Sequence, residues 1–236
     1  MKNIIELFEK MYKIKDTCGC YKIGSIDINE NDKVVINKSV EVRNIINEHI
    51  KEVTNIFEYD RGSKNAQIDY QGVASEIMFS KFLWNLYKNL SPWDKRKFSL
   101  KGPEVATILP NKHKDDFHLS FNDLKLDFDT KSKFLSNTSV NINEKAHIRF
   151  TERKSDFYIL VVLNNDFINI DKINSMDFIL LTNEFINNNA KLINGKRNNY
   201  LKIDMKNIEQ FLRKNDLMYD LSLIKKNDLV RVKAKI

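Results

Sequence analysis

The segment Ser155-Asp156-Phe-Tyr-Ile-Leu-Val-Val-Leu163 is an almost uninterrupted run of β-branched, aliphatic and aromatic residues. Side chains of a strand alternate between two faces, so a run of this kind leaves neither face for water. It predicts a strand buried on both faces in the middle of a sheet, with cover above and below. Met176-Asp-Phe-Ile-Leu-Leu181 predicts a further short apolar strand. The fold class expected from these strands and the helical segments around them is α/β, with a central mixed sheet flanked by helices.

Upstream, residues 115 to 133 read as a β-hairpin. Phe117, Leu119 and Phe121 alternate with His118 and Ser120, Asn122-Asp123 supplies turn chemistry, and Leu124, Leu126 and Phe128 alternate with charged neighbours. Period-two alternation puts Asp127, Asp129 and Lys131 on one face and leaves Asp116 at the mouth of the first strand. Carboxylates gathered in this way suit Mg²⁺, which takes hard oxygen ligands, lowers the pKa of a bound water and stabilises charge during phosphodiester hydrolysis. Lys131 is then expected to orient or help deprotonate that water and to stabilise the developing charge. The spacing leaves Asp115 as an alternative to Asp116. Asp127 competes with Asp129, but only Asp129 has a lysine two residues later.

A second acidic residue stands out in an apolar helix. In the segment that begins Gly72-Val-Ala-Ser-Glu76, the residues Val73, Ile77, Ser80 and Trp84 share a helical stripe, and Glu76 falls inside it. A carboxylate there is costly to desolvate alone, so it calls for a metal, a lysine or another polar partner.

The order of these parts resembles the PD-(D/E)XK nuclease superfamily, the restriction-endonuclease-like fold. Members carry a helix with a Glu, then a hairpin with an Asp and an (Asp/Glu)-x-Lys signature, then a crossover and another central strand. Glu76 matches the helix acid, Asp116 the first hairpin acid, and Asp129-Thr130-Lys131 the second signature. No proline precedes Asp116, and the second acid is Asp where Glu is commoner. The resemblance covers roughly residues 66 to 182. It implies a Mg²⁺-dependent endonuclease acting on DNA, with Mn²⁺ as a substitute, in which Glu76, Asp116 and Asp129 hold the metal and Lys131 positions the attacking water. A homodimer cutting duplex DNA, as type II restriction enzymes do, is the leading version. Junction cutting, an RNA-directed nuclease and a non-catalytic nucleic-acid-binding protein of the same fold are the alternatives.

The rest of the sequence fits a partner of this kind. Thirty-nine basic against 32 acidic residues give a formal charge of +7, which favours polyanions. Arg61, Lys64, Asn65 and Gln67 fall on an expected loop and suit phosphates and base edges, with Lys133 and Arg149 as further candidate contacts. Trp93-Asp-Lys-Arg-Lys97 sets an aromatic beside a basic run. The start of the chain reads as an amphipathic helix rather than a signal peptide, and no apolar run has the length of a membrane span, so a cytoplasmic protein is expected. Cys18 and Cys20, the two cysteines, read as ordinary thiols.

Residues 1–236 are expected to form one elaborated domain, with an N-terminal hairpin and helices over 1–60, the nuclease-like core over 61–185 and a C-terminal extension over 186–236. Residues 20 to 39 predict a hairpin turning through Asn29 to Asp32, with Val34, Val35 and Ile36 as strand material. Residues 41 to 58 predict an amphipathic helix whose Val42, Ile45, Ile46, Ile50, Val53, Ile56 and Phe57 face the core or a dimer partner. Toward the end, a helix following Asp204 and an edge strand over 229–236 are expected.

Overall fold

The computed structural model describes residues 3–54, 66–103, 116–134, 139–143, 155–164, 173–195 and 199–214. Its central strand is β6 (Phe157–Leu163), in which every residue is buried. Strand β6 pairs in parallel with β4 (Leu124–Phe134) on one side and antiparallel with β7 (Ser175–Thr182) on the other. Beyond β4 lie β3 (Phe117–Phe121) and β2 (Phe98–Lys101), and beyond β7 lies β1 (Cys20–Asp27). The sheet is therefore six-stranded and mixed, in the order β1-β7-β6-β4-β3-β2.

Alternation along β6 divides the core. Phe157, Ile159, Val161 and Leu163 face a layer formed by α1 (Ile4–Ile14) and α3 (Ala66–Tyr87), while Tyr158, Leu160 and Val162 face the opposite side. On that second side sit a three-stranded antiparallel sheet and two helices, α5 (Asn183–Asn189) and α6 (Met205–Lys214). The small sheet joins β5 (Ser139–Asn143), β9 (Tyr200–Asp204) and β8 (Lys191–Ile193) in that order. The α/β class and the central position of β6 follow the sequence; the small sheet does not, because its strands are short and far apart in the chain. Each large side chain buried here contributes roughly 1.5–3 kcal/mol, so covering both faces of β6 is a major source of stability.

The segment expected to form an N-terminal hairpin behaves differently. Strand β1 forms, but its partner is β7, and residues expected to return as a second strand belong to the long helix α2 (Glu30–Thr54). The cause lies at Asn29-Glu-Asn-Asp32, which is a reciprocal helix cap rather than a turn. The Asp32 N–H donates to Asn29 Oδ1 at 3.0 Å and the Asn29 N–H donates to Asp32 Oδ2 at 2.9 Å. Glu30 and Asp32 also sit in the first turn, where the helix dipole favours negative charge. The β preference of Val34 and Val35 is overridden. Lys81 on α3 donates to both oxygens of Asp32 at 2.7 Å and ties the two helices together.

Helix α2 thus starts earlier than expected, and its apolar stripe does not all point inward. Val42 and Ile45 are 52% and 64% exposed, so they do not pack in this chain's core. Ile56 and Phe57 lie outside the described residues, as does the expected strand over 229–236. Helix α3 is also turned relative to the expected stripe. Val73 is fully buried, but Trp84 is 56% exposed, because Phe79 and Phe82 draw the helix onto Phe178, and Phe79 onto Phe117, with ring centroids 5.0 to 5.2 Å apart. Helix α6 begins directly after Asp204 and buries Ile208, as expected, with Phe211 and Leu212 packed against the second core. Cys18 and Cys20 are free thiols, and burial pushes the Cys20 thiol well up. Among the described residues no helix is long and apolar enough to cross a membrane.

Candidate active site

The hairpin of β3 and β4 forms as its sequence predicts. The strands pair from Phe121 with Leu124 to Phe117 with Phe128, and Asn122 takes a positive φ of 53° in the two-residue turn, a conformation that asparagine tolerates. Strand β4 is much longer than β3. After Phe128 it is held by β6 on one side, while among the described residues its edge toward β3 has no further strand partner.

Asp116 fills the start of that open edge. Its Oδ2 accepts from the Thr130 backbone N–H at 2.6 Å and from Thr130 Oγ1 at 2.5 Å, so a side chain replaces the next rung of the ladder. The backbone at Asp116 is crowded by the end of β2. Gly102 has a φ of +118°, and a Cβ on it would stand 2.3 Å from the Asp116 carbonyl oxygen and 2.9 Å from the Phe117 ring. Only glycine fits that conformation and that gap.

Asp129 and Lys131 project from the same face of β4, as period two requires, and Lys131 Nζ donates to Asp129 Oδ2 at 2.5 Å. The ammonium also lies 5.8 Å from the centroid of Tyr158, the residue beside Asp129 on β6. Asp127 is engaged elsewhere. Its Oδ1 is 2.7 Å from His118 Nδ1, the directly opposite residue on β3, so the competing acid of the hairpin belongs to a cross-strand pair.

Glu76 comes to the cluster from α3 and is only 8% exposed. Its Oε2 accepts from Arg43 Nη2 at 2.8 Å, a bond from α2 that bridges 33 residues of sequence. A Cβ on Gly72 would meet Arg43 Nη1 at 3.6 Å, so the guanidinium passes over α3 one turn before Glu76. Arg43 has no signal in the sequence, where it is one basic residue of an amphipathic helix. Thr130, Tyr158 and Gly102 likewise carry no signal of their own in the sequence, and only their neighbours in space reveal them.

The electrostatics tie these residues into one neighbourhood. Burial first, then the charges of Asp129 and Glu76, push the Asp116 carboxyl up to about 7, while the two bonds from Thr130 pull it down. Burial also raises Glu76, and Asp129 adds to that rise; Arg43 and Lys131 oppose it. Three carboxylates therefore share a region with two cations. Lys133, two positions beyond Lys131 on β4, is half-buried, and desolvation lowers its pKa.

A divalent ion fits this set by chemistry, since all three side chains offer hard oxygens and repel one another when ionised. In the described residues no three acidic, histidine or cysteine side chains are grouped closely enough to hold a metal. Each carboxylate is instead bound to a partner of its own: Asp116 to Thr130, Asp129 to Lys131, Glu76 to Arg43.

The remaining expected contacts divide in two. Gln67 lies in the first turn of α3 rather than on a loop, because the helix already begins at Ala66. Arg61, Lys64, Asn65, Arg149 and the alternative acid Asp115 lie outside the described residues. Comparison of the chain with protein-family models, with curated proteins and with solved structures gave no match.

Proposed function

We propose that this chain is a metal-dependent endonuclease that hydrolyses DNA phosphodiester bonds, of the PD-(D/E)XK type. The observation that carries this reading is the electrostatic neighbourhood shared by Glu76 on α3, Asp116 just before β3 and Asp129 on β4, where Lys131 is bonded to Asp129 and burial, then the charges of Asp129 and Glu76, raise the Asp116 carboxyl. A strongly perturbed carboxylate with charged neighbours is a mark of functional sites.

In this reading Glu76, Asp116 and Asp129 hold Mg²⁺, or Mn²⁺ in its place. The ion supplies a water of lowered pKa and a counter-charge for the phosphate. Lys131 has two tasks. Its ammonium, released from Asp129, hydrogen-bonds the attacking water on one side and the non-bridging phosphate oxygen on the other, and so orients the first and stabilises charge on the second. Tyr158 lies beneath it, with its ring centroid 5.8 Å from Nζ. Lys133 and the basic surface attract the substrate backbone.

The substrate proposed is duplex DNA, cut by a homodimer in the manner of type II restriction enzymes, inside the cytoplasm. Val34, Val35, Val42 and Ile45 on α2 are each more than half exposed, and a second copy covering them accounts for an apolar surface that the described residues leave exposed. A second reading, a nucleic-acid-binding protein that does not cut, draws on the internal partner that each carboxylate already has.

A cleavage panel separates these readings. Purified protein with Mg²⁺ or Mn²⁺ is incubated with plasmid, branched DNA, single-stranded DNA and RNA. DNA cutting that disappears in Lys131→Ala, with folding and DNA binding kept, is the expected outcome. Cutting of RNA alone or of branched DNA alone moves the substrate class, and no cutting of any substrate rejects the enzyme.

A further inference from the structure

The chain has two tryptophans, Trp84 and Trp93, and both stand on the surface, 56% and 62% exposed. Tryptophan is highly buried on average, and these two lie nine residues apart, at the end of α3 and on the helix that follows it. Trp84 is in the last turn of α3 and stacks on Tyr87, with ring centroids 5.1 Å apart and planes 26° from parallel. Trp93 lies on the short helix α4 (Pro92–Lys97) that follows.

Each aromatic group has a cation against it. Lys95 Nζ is 5.9 Å from the Tyr87 centroid, and Lys97 Nζ is 5.1 Å from the Trp93 centroid. From residue 84 to residue 101 the sequence holds five basic side chains and one acid, Asp94. That acid is occupied at the start of α4, where its Oδ2 accepts from Ser91 Oγ at 2.7 Å. The support beneath is firm. Leu90 and Phe98 are buried, Tyr87 packs on Phe98 at 6.1 Å, and the Leu90 N–H donates to the Tyr87 carbonyl at 3.0 Å.

Flat exposed rings set among cations match a polyanion that itself presents flat faces. Unpaired nucleobases stack on such rings while their phosphates meet the lysines, and this works for any base sequence. A duplex offers only its phosphates, because its base faces are already stacked. We propose that Trp84, Tyr87 and Trp93 form a stacking platform for single-stranded nucleic acid, with Lys95, Arg96 and Lys97 holding its backbone. The platform is distinct from the carboxylate cluster. Trp84 is eight residues beyond Glu76 on the same helix, about 12 Å along its axis at 1.5 Å per residue, and single-strand binding there does not depend on cleavage.

Because two of its three rings are the chain's two tryptophans, the protein's intrinsic emission reports on the platform directly. The full chain is titrated in EDTA, which stops metal-dependent cleavage, with a 15-nucleotide oligo(dT), the same length of oligo(U), a matching duplex and heparin. Quenching by oligo(dT) or oligo(U) that exceeds quenching by duplex and heparin is the expected result, and the stronger of the two says whether DNA or RNA is preferred. Trp84→Ala and Trp93→Ala should each weaken single-strand binding roughly tenfold, Trp→Phe at either position should restore most of it, and heparin binding should change less than twofold. Equal quenching by heparin, unchanged emission with both oligonucleotides, or alanine variants that bind like the wild type would each overturn the platform. Since no metal is present, this outcome is separate from whether Lys131→Ala abolishes cutting.

Discussion

Replacing Asp116 by Asn removes one charge from the cluster and keeps its shape. The amide oxygen still accepts from the Thr130 N–H and hydroxyl, now 2.6 and 2.5 Å from Asp116 Oδ2. Burial, with the charges of Asp129 and Glu76, pushes the wild-type carboxyl up to about 7 in the folded chain, against about 3.8 for a solvated Asp. Between those values the folded protein holds a proton that the unfolded chain has released, so stability falls as pH rises through this window. Below pH 4 both states are protonated and the term vanishes. Three pH units at about 1.4 kcal/mol each set a ceiling of about 4 kcal/mol above pH 7, which relaxation of a half-buried side chain lowers to about 2 kcal/mol. Urea denaturation in EDTA at pH values from 4 to 8.5 checks this. Asp116→Asn and wild type should be close at pH 4, and the variant should become the more stable by about 2 kcal/mol at pH 8. Adding Mg²⁺ should stabilise only the wild type. A gap that does not depend on pH, or a variant less stable than wild type at pH 8, would refute the account of Asp116 as a carboxyl raised by burial and by its acidic neighbours.

Other substitutions probe the parts around it. Arg43→Met leaves Glu76 without its 2.8 Å partner and should destabilise the chain by about 1–3 kcal/mol at pH 8, and by less as the pH is lowered, because burial raises the Glu76 carboxyl and eases its protonation. The same variant should bind Mn²⁺ more tightly in calorimetry, since a competing cation is gone; unchanged stability and unchanged affinity would show that the pair does not matter. Gly102→Ala forces a Cβ to within 2.3 Å of the Asp116 carbonyl oxygen and should cost at least about 1–3 kcal/mol, read as a lowered thermal midpoint. An unaffected midpoint would contradict the close approach of β2 to Asp116. Asp127→Asn should leave any cleavage within a few-fold of wild type, because Asp127 pairs with His118 rather than with the cluster. Loss of cleavage in this variant would return Asp127 to the site.

The sequence by itself determined the parts whose signals are local. An unbroken apolar run can be satisfied only by burial on two faces, so β6 and the α/β class follow from seven consecutive residues. Strict alternation and an Asn-Asp turn fix the hairpin register, and with it the common face of Asp129 and Lys131. Local signals failed where two structures suit the same residues. Val34, Val35 and Ile36 prefer strands, but the reciprocal cap between Asn29 and Asp32 starts a helix in front of them, and contacts with α3 hold it. The tertiary structure alone decided which groups meet. Glu76 receives Arg43 from a helix 33 residues away, Asp116 accepts from the Thr130 N–H on β4 beyond the end of β3, and Asp127 is withdrawn by His118. No spacing in the chain encodes those meetings, because they depend on how far each strand runs beyond its neighbour and on how α2 lies across α3, and packing over the whole core sets both.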